Sequence, residues 1–102
     1  MKEYDIFIPL NYNDGSSIEA KKYKKLQKTL LTNFDGLTYF PQPSQGFWKM
    51  GKVTYQDEIV IYRVLAFDVA RARRFLAQLK KELKKDFQQE EILIIERDVE
   101  TL

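Results

Sequence analysis

The sequence predicts an α+β domain in which two helices cover one face of a four-stranded antiparallel sheet. Four segments carry apolar residues in the alternating or continuous runs of strands, and two longer segments repeat them every three or four positions, as helices do. Their order along the chain is strand, helix, strand, strand, helix, strand. The length of 102 residues and the hydrophobic content of 44% fit one domain with its own core, which we place over residues 1–102.

The first strand and the first helix are predicted within residues 4–34. Residues 4–12 alternate, and the S-x-x-E pattern of residues 16–19 predicts a helix that begins near Ser17, because a Ser side chain can cap free amides while the Glu reaches back. Apolar spacings of three and four extend this helix to about Phe34. One face of the strand carries Tyr4, Ile6, Ile8, Leu10 and Tyr12.

The chain changes character in residues 34–58, which hold the only tryptophan, three of the four glycines and two of the three prolines. Asp35 and Gly36 predict a helix stop in which the glycine adopts the left-handed conformation at low cost. We interpret the rest of the chain as the scaffold that positions this stretch.

A second strand is predicted to begin directly after that stop. Residues 37–40 have strand character, but Pro41 and Pro43 cannot donate ladder hydrogen bonds, so the strand should break, bulge or lie at an edge there. Residues 47–50 then form a short aromatic segment that can run back along a neighbouring strand.

The second half of the chain predicts strand, helix and strand. Residues 59–67 are apolar except for Arg63, which is typical of a central strand covered on both faces. Asp68 is expected to cap the next helix, and residues 91–99 supply the last strand, with an apolar run at residues 92–95. The apolar stripe of the helix is Ala72, Phe75, Leu76, Leu79, Leu83 and Phe87.

This order of elements is that of the ferredoxin-like β-α-β-β-α-β fold. Right-handed crossovers place the first and third strands at the centre of the sheet and the second and fourth at its edges. Pro41 and Pro43 in the second strand, and the charges of residues 96–100 in the fourth, are features that edge strands tolerate.

The sheet face without helices is predicted to be an interaction surface. Both later strands read as apolar on both faces, and a large exposed apolar patch marks a binding site. We expect a homodimer that pairs two such faces. The alternative is that residues 41–52 fold back and cover the face within one chain.

Composition narrows the chemistry that this chain can perform. The sequence has no cysteine and no histidine, so disulfide and thiolate chemistry and all His-dependent acid–base or nucleophilic arrangements are absent. A charged N-terminus and the lack of any apolar run of roughly 18 residues argue against a signal peptide and a membrane span. We therefore expect a cytoplasmic protein without a cofactor.

The charges are divided between the two predicted layers. The two helical segments, residues 16–34 and 68–89, carry twelve basic and four acidic residues, whereas the remainder carries five basic and eleven acidic residues. A basic layer can bind nucleic acid, but interleaved acids and the absence of an RNA-recognition-motif signature argue against that interpretation. We keep it as a second alternative.

The residue types that could build a site cluster in the central stretch. On a strand the adjacent Asp57 and Glu58 point to opposite faces and cannot chelate one metal together, so no metal site is predicted. A Trp ring with convergent polar groups is typical of a small-molecule pocket, although Trp48 can equally serve as a structural anchor. The candidate residues for a ligand or partner are Thr38, Trp48, Lys49, Tyr55, Asp57 and Glu58.

Four short motifs resemble those of a group of small, stand-alone, uncharacterised ferredoxin-like proteins. They are N-D-G-S-S-I at residues 13–18, F-D-G-L-T at residues 34–38, G-F-W at residues 46–48 and Y-Q-D-E at residues 55–58. This sequence has Asp35 where that group has a second glycine. The resemblance implies a fold and no particular activity.

The function predicted from the sequence is therefore binding rather than catalysis. We expect a protein that acts through its open sheet face, as a homodimer and with another protein as a further partner. The alternative is a small enzyme or small-molecule-binding protein of the dimeric ferredoxin-like type, with Asp57 or Glu58 as a base beside Trp48, since a desolvated carboxylate can act as a base.

Overall fold

A computed structural model describes residues 1–102 as one four-stranded sheet and two helices. The strand order is β2-β3-β1-β4, and every neighbouring pair is antiparallel. The ferredoxin-like fold class and the central position of the first and third strands are thus confirmed. The elements are β1 (Lys2–Pro9), α1 (Ala20–Asn33), β2 (Gly36–Met50), β3 (Val53–Ala66), α2 (Val69–Asp86) and β4 (Ile94–Asp98).

The core lies between the sheet and the two helices. Because strand side chains alternate, the even-numbered residues of the two central strands face the helices and the odd-numbered ones face away. Both helices contribute their apolar stripes, so the hydrophobic effect holds each helix on the same side of the sheet. The strand residues in this core are Tyr4, Ile6, Ile8, Val60, Tyr62, Val64 and Ala66.

Helix α2 forms as its sequence predicts. The Asp68 side chain accepts a hydrogen bond from the Arg71 amide at 3.1 Å, which satisfies one of the free donors of the first turn. Lys84 and Lys85 lie in the last turn, where positive charge interacts favourably with the negative end of the helix dipole. The buried stripe is Ala72, Leu76, Leu79 and Leu83.

The predicted start of α1 is wrong by three residues, because the serines are engaged elsewhere. The Ser16 amide and hydroxyl both donate to the Asp14 carboxylate, at 2.8 and 2.5 Å, and Ser17 forms an isolated bridge with Asn11. The helix begins at Ala20, and Glu19 at its N-cap makes no side-chain capping bond.

The predicted helix stop at Gly36 is also corrected. Only Gly15 and Gly51 among the glycines have positive φ, and Gly36 is instead the first residue of β2. The helix ends where expected, at Asn33, with Phe34 in extended conformation and its amide bonded to the Leu30 carbonyl.

Strand β2 continues past the two prolines, with a shift in register. Phe40 pairs with Ile61 and Ser44 pairs with Ile59, so three residues of β2 lie opposite Val60 alone. The prolines are accommodated because β2 is an edge strand and because this bulge removes ladder bonds at that point.

The lengths of the last two strands differ from the prediction. Strand β3 begins six residues earlier than expected, at Val53, because its polar first half pairs with β2. Strand β4 is short and begins only at Ile94. Neither helix combines the length and the apolar character that crossing a membrane requires.

Candidate functional site

The β2–β3 hairpin projects beyond the rest of the sheet. On the β1 side of β3, the last hydrogen bond runs from the amide of Leu10, the residue after β1, to the Glu58 carbonyl at 3.0 Å. Beyond this bond β2 and β3 pair only with each other. We call residues 45–58 the hairpin arm. Its tip turns at Gly51, whose φ of 63° is a conformation that favours glycine.

The hairpin arm has two different faces. Directly paired residues share a face, and successive pairs alternate. One face continues the helix-free side of the sheet, and we call it the inner face; the other is the outer face. The inner face carries Gly46, Trp48, Met50, Val53, Tyr55 and Asp57, and the outer face carries Gln45, Phe47, Lys49, Thr54, Gln56 and Glu58.

The arm bends over the helix-free side of the sheet. Trp48 pairs with Tyr55, six residues along β3 from the Ile61 that pairs with Phe7, so a straight strand would separate the two levels by about 20 Å. The Trp48 and Phe7 rings nevertheless meet edge to face at 6.4 Å between centroids. The bulge beside Val60 supplies the bend, as bulges do.

Gly46 makes room for the indole. A Cβ atom at Gly46 would lie 3.2–3.3 Å from the Trp48 ring, closer than side chains usually approach, so the ring lies flat along the strand over the glycine. Trp48 is only partly exposed as a result, and the arm covers part of the open face within one chain.

Three of the six predicted site residues come together. Trp48 and Tyr55 are a direct cross-strand pair, and Asp57 is the next residue of β3 on the same inner face. The three form an aromatic pair with one adjacent carboxylate. Asp57 makes no ion pair within the chain, so its carboxylate is free to bind.

The other three predicted residues lie elsewhere. Lys49 and Glu58 are on the outer face of the arm, turned away from Trp48. Thr38 lies on the far side of the bulge, where it pairs with Arg63 in the main sheet. Alternation of side chains separates Lys49 and Glu58 from the aromatic pair, whereas Thr38 shares its side of the sheet and is separated from it by distance along the strand.

The arm exposes large apolar side chains on both faces. On the inner face Met50, Val53 and Tyr55 are 65%, 52% and 50% exposed, and on the outer face Phe47 is 62% exposed. The three inner-face residues form a continuous apolar surface, of the kind that marks a binding site.

A charged cluster that sequence reasoning missed lies on the helix-free face of the main sheet. Asp5 is 4% exposed and receives two hydrogen bonds from Arg63, Nε to Oδ1 at 2.8 Å and Nη2 to Oδ2 at 3.0 Å. Arg97 donates a further bond to Asp5, and both guanidinium groups lie 3.4 Å from the Glu3 carboxylate. Arg63 also stacks over Phe40, 5.0 Å from the ring centroid.

This cluster corrects the expectation that β3 and β4 are apolar on both faces. The open face is divided instead: its apolar part lies beside the arm and its charged part at the opposite end. The signal that could have predicted the cluster is the pairing register, in which Asp5 lies directly opposite Arg63. An acid in one strand directly opposite a base in its partner predicts a cross-strand ion pair.

Hydrogen bonding lowers the pKa of two carboxyl groups, that of Asp5 in this cluster and that of Glu96 on the other face of the sheet. Burial of the Asp5 carboxyl alone would raise its pKa, but hydrogen bonds from Arg63 and Arg97 outweigh burial and hold the pKa below its ordinary value. On the helix side, hydrogen bonds from Arg73 and Tyr4 lower the pKa of Glu96 to about 2. Both carboxylates are therefore ionised at neutral pH and act as structural clamps.

Comparisons with known proteins support the fold. A scan of protein-family models finds no match, and a search of curated proteins finds none either. Among solved structures, a phage SAM lyase in complex with S-methyl-5'-thioadenosine matches with a TM-score of 0.70 and 16% identity over 95% of this chain and 80% of the lyase chain. A mutant of CutA1 from Pyrococcus horikoshii OT3 matches with a TM-score of 0.61 and 17% identity over 100% of this chain and 86% of its own.

Both neighbours are small ferredoxin-like proteins, and at these identities the likeness concerns the fold alone. The motif resemblance to a particular group finds no support at the sequence level. What the comparisons show of this chain is that it is a ferredoxin-like α+β domain.

Proposed function

We propose that this protein is a binding protein that associates with a second copy of itself through the hairpin arm, whose inner face adjoins the apolar part of the open face. The observation that carries the proposal is the exposure of Met50, Val53 and Tyr55, each at least half exposed on one continuous surface. A surface of this kind gains free energy when it is removed from water.

The construction of the arm supports the same proposal. A two-stranded ribbon is marginally stable in water by itself and needs a further strand or a packing surface. Within one chain the aromatic contact from Trp48 to Phe7 packs one side of the ribbon, while the tip beyond Trp48 carries Met50 and Val53 exposed. A second copy would supply the missing packing surface.

Light scattering at micromolar concentration is expected to give twice the mass of the chain. The double variant Met50→Glu, Val53→Glu should give the monomer mass, because it places charges of one sign from both copies at the contact between the arms. Its circular-dichroism spectrum should match that of the parent, since both positions are mostly exposed and the fold does not depend on them.

Leu31 provides the matched control. It is 59% exposed on α1, away from the arm, so Leu31→Glu should leave the parent's mass unchanged. A parent that is monomeric throughout the micromolar range would contradict the proposal, as would a double variant that still dimerises as tightly as the parent.

The second candidate is small-molecule binding on the same inner face. Trp48, Tyr55 and Asp57 offer an aromatic surface for a planar ring and a carboxylate for a hydroxyl group, and one structural neighbour is complexed with S-methyl-5'-thioadenosine. Because Trp48 is the only tryptophan, its fluorescence reports such binding directly. Saturable quenching by S-methyl-5'-thioadenosine that Tyr55→Ala abolishes would support this candidate, and unchanged fluorescence would eliminate it for that ligand.

A further inference from the structure

Strand β2 has one long edge that no other strand covers. It is one of the two edge strands of the sheet and, at 15 residues, the longest strand. Alternate residues along it direct their backbone N–H and C=O groups away from β3. Such an edge invites pairing with another strand.

Two parts of this edge differ in how strongly they are blocked from pairing with another strand. Pro41, Pro43 and the register shift blunt the middle of β2, because each proline lacks an amide donor. Residues 44–50 contain no proline and no bulge, and their sequence S-Q-G-F-W-K-M includes two aromatic residues. The open stretch therefore coincides with the exposed apolar arm.

The charges of the arm indicate which strand pairs there. Lys49 and Lys52 lie at the tip and Asp57 and Glu58 at the base, and none of the four makes an ion pair within the chain. Thr54, the partner of Lys49, lies three residues from Asp57 along β3, which is about 10 Å in a strand. The arm is thus positive at one end and negative at the other.

We propose that residues 44–50 of two copies pair edge to edge in antiparallel orientation about a two-fold axis near Phe47, so that the sheets of the two copies become continuous. This inference rests on the self-association proposed above and specifies how the arms meet: their edges pair, and their inner faces lie side by side on one face of the joined sheet, with Met50 of each copy opposite Ser44 of the other. The antiparallel orientation places the lysine tip of each arm beside the carboxylate base of the other. A parallel orientation would place lysines beside lysines.

The side chains fit this register. With Phe47 at the axis, the two exposed Phe47 rings become cross-strand neighbours, and aromatic pairs of this kind stabilise antiparallel sheets. Trp48 of each copy lies opposite Gly46 of the other, over which that copy's own indole lies, so the two indoles become neighbours on the inner face. Symmetric pairing of one patch with itself also gives a closed dimer rather than a filament.

A charge exchange within the arm tests the orientation. The fourfold variant Lys49→Glu, Lys52→Glu, Asp57→Lys, Glu58→Lys should dimerise as tightly as the parent, because each tip again meets an opposite charge. It should form no mixed dimer with the parent when the two are combined. A variant that exists as a monomer alone and dimerises only with the parent would overturn the antiparallel orientation.

The tip substitutions alone should weaken dimerisation at least about tenfold, since acidic tips would meet acidic bases. Lys81→Glu with Lys85→Glu is the matched control, because these helix α2 lysines also lack ion pairs and lie away from the arm. Equal weakening by the control and the tip substitutions would overturn the proposed role of the arm charges.

Hydrogen exchange separates this inference from the function on which it rests. Amide exchange in residues 44–50 should slow as the protein concentration rises, because edge pairing forms new backbone hydrogen bonds there. A parent that stays monomeric overturns both proposals. A parent that dimerises while these amides exchange at an unchanged rate overturns edge pairing alone and leaves the self-association intact.

Discussion

Replacement of Asp5 by Asn is expected to lower the free energy of unfolding by about 2–3 kcal/mol, because two guanidinium groups lose the carboxylate that neutralises them. Arg63 and Arg97 keep roughly a third of their side-chain surface exposed, 35% and 39%, so water relieves part of the loss. Urea unfolding of both proteins measures the difference.

Glu100→Gln is the matched control for this change. It removes one carboxylate that is exposed, unpaired within the chain and outside the hairpin arm, so its unfolding free energy should equal that of the parent. Equal stability of the Asp5 variant and this control would contradict the assignment of the charged cluster as a structural clamp.

The stability of Asp5→Asn is expected to depend on pH differently from that of the parent. The pKa of Asp5 is below its ordinary value of 3.8 in the folded protein, so its stabilisation is complete above that pH and is lost as the pH falls through the folded pKa. The stability of Asp5→Asn should therefore decline less steeply below pH 3.8 than that of the parent. The clamp on Glu96 remains in both proteins, and its contribution is lost between pH 4.5 and about 2.

Trp48→Ala is expected to lower the free energy of unfolding by about 1–2 kcal/mol and to weaken self-association. The loss should be smaller than the roughly 3–5 kcal/mol of a fully buried aromatic residue, because the indole packs against Phe7 and Gly46 on one side and remains partly exposed. Thermal unfolding followed by circular dichroism measures the change.

Phe67→Ala is the control. Phe67 is 68% exposed and lies outside the hairpin arm, so its removal should leave folding stability and self-association unchanged. If Trp48→Ala melts like the parent while a partner or ligand is lost, the indole serves recognition and is not a structural anchor.

The sequence predicted the elements whose patterns are local. Helix α2 combines a cap at Asp68 with a repeated apolar stripe, and both signals lie within the helix itself. The order of the strands in the sheet was predicted from the order of the elements along the chain and from the right-handedness of crossover connections. These features do not depend on which residues meet across the sheet.

The hairpin arm could not be predicted in the same way. Residues 53–58 are V-T-Y-Q-D-E, a polar run whose strand conformation comes from pairing with β2. Strand propensity depends on the partner and on position, so Pro41 and Pro43 are tolerated at an outer edge beside a bulge. The length of the ladder between these two strands is not visible in the sequence.

The site was predictable only in part for a related reason. The aromatic and polar residues of the arm were identified from their types, while their division between two faces required the pairing register. The Asp5 cluster required three strands to be aligned at once, because its charges come from β1, β3 and β4. At the start of α1, competing bonds from Ser16 to Asp14 displaced the expected cap.

The central claim is that the hairpin arm and the adjoining open face form the binding surface of this protein. Amide chemical shifts recorded by NMR at low and at high protein concentration test it residue by residue. Concentration-dependent shifts should concentrate in residues 44–59 and around Phe7, and the outer faces of both helices should be unaffected. Shifts confined to the helices, or none at any concentration at which the protein remains soluble, would contradict the claim.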